Sequence, residues 1–372
     1  MNVIVVCPTP QGGHIEHAAN LSMAFADAGN EVTLVSRPGS VDYLPTSITE
    51  RVQVKELLRP LRGTSGLRRL GNRLLVLAHE HWRVWSLLGR SKGQTLVIFE
   101  EPRYPFPRLV AAGRREVSLV VFIHNVVEHD AQGGRPPLGA RLRDRVKRLS
   151  SGQYSAVVVH GSRQAEKLAA TVSTSVLSAA LPGSAWVERQ WRQDPGFALA
   201  EGGLICPGEL RANKGYHVAI AAARKADLPL TVAGKPIDDS YLAELRRLAG
   251  DDERIRILPR FLTPGEFETA VGSARAVVLP YVGFDAQSGV MSRALAAGRR
   301  VIASDLPSLR EQAGDSALVS FVPPGDVDAL AAAMASSSAA AANDERDGQD
   351  DGSEQQWLDL AALIGTRAGR AS

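Results

Sequence analysis

Apolar and polar positions follow two alternating patterns along most of this chain. Runs of about four to six apolar residues, rich in Val and Ile, alternate with segments in which apolar side chains recur every three or four positions. The runs predict buried strands and the segments predict helices, which together are typical of parallel sheets covered by helices. In the first half, the predicted strands are 3–7, 31–36, 95–99, 118–123 and 156–160.

The same alternation restarts after an irregular segment that follows Pro182. The predicted strands of the second half are 203–206, 230–233, 255–258, 276–280, 301–304 and 317–321. We therefore predict an α/β protein of two facing, doubly wound Rossmann-like domains, with a ligand site between the carboxyl ends of their strands. The predicted divisions are a first domain over 1–182, a linker over 183–202, a second domain over 203–342, an acidic loop over 343–353 and a C-terminal helix and tail over 354–372.

The last predicted helix has an apolar stripe. Trp357, Leu360, Ala361 and Ile364 recur at helical spacing. Such a stripe is typical of core packing, so we expect this helix to dock on the body of the protein.

Composition changes this picture mainly through the distribution of charge. Of the 372 residues, 44% are hydrophobic and 22% are charged, which is ordinary for a globular protein and disfavours disordered, collagen-like and coiled-coil classes. The formal net charge is only +3. However, residues 1–182 contain 23 basic and 14 acidic side chains, whereas the rest of the chain contains 20 and 26. This asymmetry indicates that only the first half faces an anionic partner.

The two cysteines and the start of the chain bear on the compartment. Cys7 and Cys206 lie far apart, each in a predicted strand, which favours buried thiols over a disulfide or a metal site. The chain starts without a basic segment, and no run of about 18 apolar residues occurs, so we expect neither a signal peptide nor a membrane span. The expected location is the cytoplasm.

In the first half, the residues that could bind a ligand or act in catalysis directly follow predicted strands. Gln11-Gly12-Gly13-His14 precedes a helix, where unpaired N–H groups favour anions; alternatively it is only a tight turn, and the three-glycine dinucleotide pattern is absent. His124-Asn125 and His129-Asp130 follow a later strand, where imidazoles can donate hydrogen bonds or move protons. Turn capping and a metal site are the alternatives for the histidines, although no set of carboxylates or cysteines accompanies them. His160-Gly161-Ser162 repeats the strand-end placement.

Two segments of the second half suggest anion binding. Arg211 and Lys214, bracketed by glycines after a strand, could clamp a diphosphate, although solvated surface charges would look the same. Further along, Asp285-Ala286-Gln287-Ser288-Gly289-Val290 leads into a helix of small residues. Its backbone N–H groups can meet phosphate oxygens, and Asp285 can accept hydrogen bonds from hydroxyl groups.

In this order and at these strand ends, the segments resemble the retaining glycosyltransferases of family 4, which have the GT-B fold. The resemblance covers nearly the whole chain. It implies that a sugar, most simply a hexose, moves from a nucleotide-diphosphate-sugar donor to a hydroxyl acceptor with retention. No bound metal and no cofactor beyond the co-substrate are implied, because cationic side chains and a helix start can stabilise the leaving diphosphate. The implied setting is polysaccharide, glycolipid or glycoconjugate biosynthesis, with a saccharide or lipid-linked acceptor.

The resemblance also implies roles for individual residues. His124 and Asp285 would act at the transferred sugar. The donor diphosphate would be bound by Arg211, Lys214, Gln287, Ser288, Gly289, Val290, Gly12 and Gly13. The base and ribose would lie near Arg260, Phe261 and Arg293. The acceptor side would be formed by His14, Asn125, His129 and Ser162.

Three positions depart from the family pattern. Asp285 and Arg293 stand where family members commonly have two glutamates, and Arg293 cannot accept hydrogen bonds from ribose. Glu209 stands where an arginine often follows the loop glycine, and we expect Arg211 to serve instead. Two alternatives therefore stay open: a nucleotide-sugar 2-epimerase of the same fold, and a degenerate, non-catalytic homologue that acts as a partner subunit.

Basic residues of the first half interleave with apolar ones in two segments. Residues 59–92 hold eight basic side chains and one acidic, and residues 135–148 hold six and one. This pattern predicts peripheral contact with an anionic membrane, and solvated helix faces are the alternative. No nucleic-acid partner is expected, since no stacking platform accompanies the charges.

Overall fold

The computed structural model describes most of the chain. The described ranges are 1–59, 67–89, 93–102, 107–114, 116–124, 150–191, 194, 196–200, 203–339 and 352–369, with only the backbone of 67–71, 73, 74, 338, 339 and 369. The predicted basic segment 135–148 and almost all of the predicted acidic loop 343–353 lie outside these ranges. Within them, no helix is long and apolar enough to cross a bilayer.

The first half folds around a seven-stranded parallel sheet. Its strands are β1 (Asn2–Val6), β2 (Glu31–Ser36), β3 (Gln53–Glu56), β4 (Thr95–Phe99), β5 (Val117–Phe122), β6 (Ala156–His160) and β7 (Val176–Ala179). They lie in the order β3-β2-β1-β4-β5-β6-β7. Val5 of β1 is in register with Leu34 on one side and Ile98 on the other.

Helices cover both faces of this sheet. They are α1 (Gly13–Asp27), α2 (Ser40–Tyr43), α3 (Thr46–Arg51), α4 (Leu67–Leu88) and α5 (Ser162–Ala169). Alternate residues of β1 point to opposite faces, so Val5 packs in the core beneath α1 while Val6 packs in the core beneath α4. Burial on both faces explains why the central strands are continuous apolar runs.

The second half repeats this architecture around six parallel strands. They are β8 (Leu204–Pro207), β9 (Leu230–Ala233), β10 (Ile255–Leu258), β11 (Ala276–Leu279), β12 (Arg300–Ser304) and β13 (Val319–Val322), in the order β10-β9-β8-β11-β12-β13. The helices are α6 (Tyr216–Ala226), α7 (Asp239–Ala249), α8 (Pro264–Ser273), α9 (Gly289–Ala296), α10 (Pro307–Ala313) and α11 (Val327–Ala339). Side chains cap several helix starts; Thr263 and Glu266, for example, form a reciprocal capping box at α8.

The C-terminal helix α12 (Ser353–Gly369) packs on the first half, as its apolar stripe predicted. Trp357, Leu360 and Ile364 are buried in the same core as α1. In addition, the Ser118 hydroxyl donates to the carbonyl of Ala368 at 3.0 Å. The C-terminal end of the chain therefore packs in the same core as its N-terminal helix α1.

The predicted fold class is confirmed, with two parallel sheets covered by helices. The strands β3 and β7 were not predicted. Both are edge strands of four residues with partly exposed side chains, so neither has a continuous apolar run. Cys7 and Cys206 are buried and unpaired, as expected.

Candidate active site

The carboxyl ends of the two sheets face each other across a cleft. A cavity of about 400 Å³ in this cleft is lined by residues of both halves and of α12. The lining includes Gly13, His14, Glu16, His17, His124, Arg211, Lys214, Gln287, Ser288, Gly289, Val290, Arg293 and Trp357. The structure thus brings most of the predicted site residues together.

A second cavity of about 490 Å³ adjoins the first. Both are lined by Gly13, His14, Glu16, Arg211 and Arg293, among others. The second cavity extends between the Gly12 turn and the ends of β9 and β10, where its walls include Gly12, Tyr43, Gly234, Phe261 and Leu262. Two connected compartments of this kind suit a ligand with two distinct parts.

The glycine turn precedes α1 on the first-half wall. Gly12 has a φ of 83°, a conformation that favours glycine, and α1 starts here without a side-chain cap. A Cβ at Gly12 would lie 3.8 Å from the ring of Phe261 in the second half. The start of α1 therefore offers backbone N–H groups to the cleft, although a role for Gly12 and Gly13 in binding a diphosphate stays a prediction.

Lys214 lies on the opposite wall in an aromatic setting. Its Nζ is 3.8 Å from the ring centroid of Tyr281 and 4.1 Å from that of Phe284. Burial lowers the pKa of Lys214 to about 7, and the nearby Arg211 acts in the same direction. A cation destabilised in this way gains from an anionic ligand.

The loop that carries Lys214 is held close to β11 by a glycine. Gly215 has a φ of 67°, and a Cβ on it would lie 1.8 Å from the carbonyl oxygen of Pro280. Only glycine fits there. In the same loop, the half-exposed Arg211 forms an ion pair with Glu209, which a bound diphosphate could replace as its partner.

The start of α9 offers fewer amides than the sequence suggested. The N–H of Ser288 donates to Oε1 of Gln312 at 2.6 Å, so it is already engaged. The Ser288 hydroxyl caps the helix by accepting from the N–H of Met291. The N–H groups of Gly289 and Val290 lie in the first turn, where a helix supplies no acceptor, and both residues line the cavity.

Gln287, predicted to bind the diphosphate, and Asp285, predicted to act at the transferred sugar, both form contacts between the two halves of the protein. Oε1 of Gln287 accepts from the N–H of Leu181 at 2.6 Å. Asp285 forms an ion pair with Lys167 of α5 and does not line the cavity. The lysine on the facing wall attracts this short, partly exposed carboxylate, so the structure does not bring Asp285 beside His124.

His124 lies in a buried network at the end of β5. Its Nε2 is 2.9 Å from Oε2 of Glu100, whose side chain is fully buried at the end of β4. The same carboxylate lies 3.0 Å from Nδ1 of His17, and Nε2 of His17 lies 3.0 Å from Nε2 of His160. Burial lowers the pKa of His124 to about 4, although its hydrogen bond to Glu100 opposes the shift. Burial also opposes the charge on Glu100, but the two bonded histidines outweigh it and hold the pKa of that carboxyl below its usual range.

These histidines are the described residues best placed to hold a metal ion. Nitrogen atoms of His17, His124 and His160 all lie within 4.8 Å of one another. Three imidazoles could coordinate a transition metal. However, the facing nitrogens already pair with one another or with Glu100, so hydrogen bonds alone account for the arrangement.

Arg293 does not face solvent in a ribose pocket. Its guanidinium donates to Glu16 of α1 at 3.2 Å and to Glu268 of α8, and it lies over the ring of Phe267 at 4.3 Å. Burial disfavours the charge on Arg293, but its two carboxylate partners raise its pKa overall. The arginine that replaces a family glutamate is therefore the centre of a buried ion-pair network that joins both halves.

Arg260 and Phe261 are the other two residues that were predicted to lie near the base. Of these two, only Phe261 lines a cavity. Phe261 is 44% exposed and lines the second cavity. Arg260 instead pairs with Glu266 through two hydrogen bonds and lines neither cavity, because the capping residue of α8 lies within its reach.

The predicted acceptor-side residues divide into three cases. His14 lines both cavities and its Nδ1 lies 3.1 Å from Oε1 of Glu101. The Ser162 N–H binds Glu311 of the second half, so this residue connects the halves rather than lining the cavity. Asn125 and His129 lie outside the described residues.

Sequence reasoning missed several residues of this site. They are Glu16, His17, Glu100 and Glu268, together with Glu188, which lines the first cavity. Glu100 follows an apolar strand directly, the same signal that identified His124. Glu16 and His17 lie on α1 one position apart and both are buried, a combination that the alternation of polar and apolar residues does not reveal.

Two family models match consecutive parts of this chain. The model described as "Glycosyl transferase 4-like domain" matches residues 12–176, and the one described as "Glycosyl transferases group 1" matches residues 201–338. The first model ends where β7, the last strand of the first sheet, begins, and the second model starts just before β8.

Similar proteins include a curated relative and solved structures. The phosphatidyl-myo-inositol mannosyltransferase of Mycolicibacterium smegmatis is 24% identical over 349 residues, which is 90% of this chain and 84% of the relative. Sucrose-phosphate synthase from Thermosynechococcus elongatus has a TM-score of 0.66 at 17% identity, over 99% of this chain and 94% of its own. HepE of Anabaena, solved in complex with UDP-glucose, has a TM-score of 0.65 at 13% identity, over 100% of this chain and 98% of its own. The likeness to the solved structures concerns the fold.

Proposed function

We propose that this chain, which belongs to the group 1 glycosyltransferases with a 4-like first domain, transfers a hexose with retention from a nucleoside-diphosphate sugar to a hydroxyl acceptor. The observation that carries the proposal is the cavity between the halves. It combines two cationic side chains and a helix start on one wall with His124 on the other. This arrangement can hold a diphosphate and its attached sugar at the same time.

The donor nucleotide fits the two compartments by its chemistry. A diphosphate near Arg211, Lys214 and the start of α9 would place the base toward Phe261 in the second cavity and the sugar toward His124 in the first. HepE, which has the same fold, was solved with UDP-glucose, and this supports a donor of that class.

The leaving diphosphate needs stabilisation by positive charge. Arg211, Lys214 and the first-turn N–H groups of α9 supply it in the proposed reaction, without a bound metal or a further cofactor. Preorganised donors of this kind are worth about 2.7–4 kcal/mol each in other enzymes.

The proposed acceptor is a lipid-linked or growing saccharide, reached from the membrane surface. On α4, Leu75, Trp82 and Trp85 are 69%, 54% and 43% exposed and are spaced to share one helix face. The guanidinium of Arg83 lies 5.1 Å from the Trp82 ring centroid, and that of Arg114 lies 4.8 Å from the Trp85 ring centroid. Exposed aromatic rings with cations beside them suit an anionic lipid surface, and the mannosyltransferase relative supports an acceptor of the lipid class.

The transfer activity is tested by release of nucleoside diphosphate from a panel of donors with and without acceptors. We expect release with one donor class, and a product whose anomeric configuration, read by NMR, matches that of the donor. Lys214→Met should weaken donor binding by roughly tenfold or more, since a charge-assisted contact is worth about 1.5–3 kcal/mol. Lys225→Met, at an exposed ion pair on α6, is the matched control. No release and no donor binding with any panel member would refute the proposal, and isomerisation of the donor without transfer would favour an epimerase.

The membrane contact is tested separately by sedimentation with vesicles of anionic and neutral phospholipid. We expect Trp82→Ala combined with Trp85→Ala to lower binding to anionic vesicles by tenfold or more, since a buried aromatic side chain contributes about 1.5–3 kcal/mol. Ile237→Ala, at an equally exposed apolar residue of the second half, should leave binding unchanged. Equal binding by the three proteins would contradict contact through α4.

A further inference from the structure

The network behind His124 links four buried or largely buried groups from four elements. Glu100 lies at the end of β4, His124 at the end of β5, His17 on α1 and His160 at the end of β6. Their atoms connect in the order His124, Glu100, His17, His160. Only His124 and His17 of these four line the cavity, so Glu100 and His160 lie behind the surface that a ligand would touch.

The positions of two protons follow from hydrogen-bond chemistry. A carboxylate can only accept hydrogen bonds. Because Glu100 lies within hydrogen-bond distance of Nε2 of His124 and Nδ1 of His17, each of these nitrogens must carry a hydrogen. At the far end, the facing Nε2 atoms of His17 and His160 are 3.0 Å apart and share one hydrogen between them.

We propose that Glu100 is a positioning residue that holds the His124 ring with its proton on Nε2, so that Nδ1 is the nitrogen left to accept a hydrogen bond from a hydroxyl of the bound sugar. The inference rests on the proposed function for the identity of the ligand. The hydrogen-bonded arrangement itself belongs to the protein without ligand. Glu100 acts through His124 and touches no substrate.

Aromatic rings pack against His124 from several sides. Its ring stacks on His14 with centroids 4.7 Å apart and lies parallel to Phe122, with centroids 5.7 Å apart. The ring of His17 is nearly perpendicular to it, with centroids 4.9 Å apart. The titratable groups around His124 are therefore His14 and His17 from α1, His160 from β6 and Glu100 from β4. Of these, Glu100 alone forms a hydrogen bond with the His124 ring in the described residues.

The test compares Glu100→Gln, Glu100→Asp and Glu80→Gln. Glu80 is an equally buried carboxylate of the first half that pairs with Arg37, away from the cleft, and controls for general loss of stability. Long-range proton–nitrogen NMR spectra of protein labelled at histidine report which nitrogen of His124 carries hydrogen. We expect hydrogen on Nε2 in the wild type, in Glu80→Gln and in Glu100→Asp, and a mixture of both forms in Glu100→Gln.

Kinetics supply the second measurement. We expect Glu100→Gln to lower kcat by about 10- to 100-fold while donor KM changes little, as when a group that orients a histidine is lost. Glu100→Asp, which keeps the charge, should retain more of kcat. Hydrogen on Nδ1 of His124 in the wild type, or a kcat for Glu100→Gln equal to that of Glu80→Gln, would overturn the proposal. So would a stoichiometric transition metal on the three histidines, because their lone pairs would then point at the ion. The NMR measurement needs no substrate, so an inactive wild type with hydrogen on Nε2 would refute the proposed function alone.

Discussion

Donor affinity should depend on pH through Lys214. In the free protein its pKa is about 7, because burial disfavours the ammonium form and the nearby Arg211 acts in the same direction. A bound diphosphate favours that form and must raise the pKa. Below about pH 6 the lysine is charged with or without ligand, and affinity is constant. Above about pH 7, binding requires uptake of a proton, so the donor dissociation constant should rise toward tenfold per pH unit, or about 1.36 kcal/mol.

Isothermal titration calorimetry measures both the slope and the proton. The ligand is an intact nucleoside-diphosphate sugar, since its esterified phosphates do not themselves titrate near neutrality. Titrations at about pH 8 in two buffers of different ionisation enthalpy should show uptake of close to one proton per site. Lys214→Arg keeps the charge at every working pH and should abolish both slope and uptake, whereas Lys225→Arg should keep both.

Two results would refute this reasoning. Binding by the wild type without proton uptake at about pH 8 would mean that Lys214 is not neutral in the free protein or does not meet the ligand. An unchanged slope in Lys214→Arg would assign the proton to another group, and His14, whose ring also lines the cavity, would be the next to replace.

Two further predictions concern the framework of the site. Arg293→Met should lower the free energy of unfolding by about 3–5 kcal/mol because it removes the cation that pairs with the carboxylates of Glu16 and Glu268, although Glu16 keeps the hydrogen bond that it accepts from the Tyr43 hydroxyl. The loss should be largest near pH 7 to 8 and shrink toward pH 5, since burial raises the pKa of both carboxyls and their protonation relieves the cost. Thermal unfolding measures it, with the exposed Arg310→Ala as control, and equal shifts for both variants would contradict the buried network. Gly215→Ala should cost more than about 2 kcal/mol in urea unfolding, because its Cβ would overlap a carbonyl oxygen at positive φ. Gly283→Ala, where a Cβ meets nothing within 4 Å, should cost far less, and similar midpoints would refute the packing argument.

The alternation of apolar runs and helical segments was enough to predict the fold. Buried parallel strands have apolar side chains on both faces, so the central strands are recognisable in the sequence as continuous apolar runs. The edge strands β3 and β7 were missed because half-exposed edges lack that signal. The ends of the predicted strands also indicated where the candidate site lies, since the loops of all βα units meet at the carboxyl edge of a parallel sheet. His124, Lys214 and Gly289 reach the cavity for this reason.

Partners of individual side chains were decided by the tertiary structure. Arg293 meets Glu16 across 277 positions of sequence, and Asp285 meets Lys167 across 118. Both contacts depend on how the two halves face each other. The sequence by itself determined two βα sheets and the edge at which the candidate site lies, because periodicity and turn residues act locally. It could not determine which carboxylate lies behind His124 or which group neutralises Arg293, because those contacts form only when elements distant in sequence pack together.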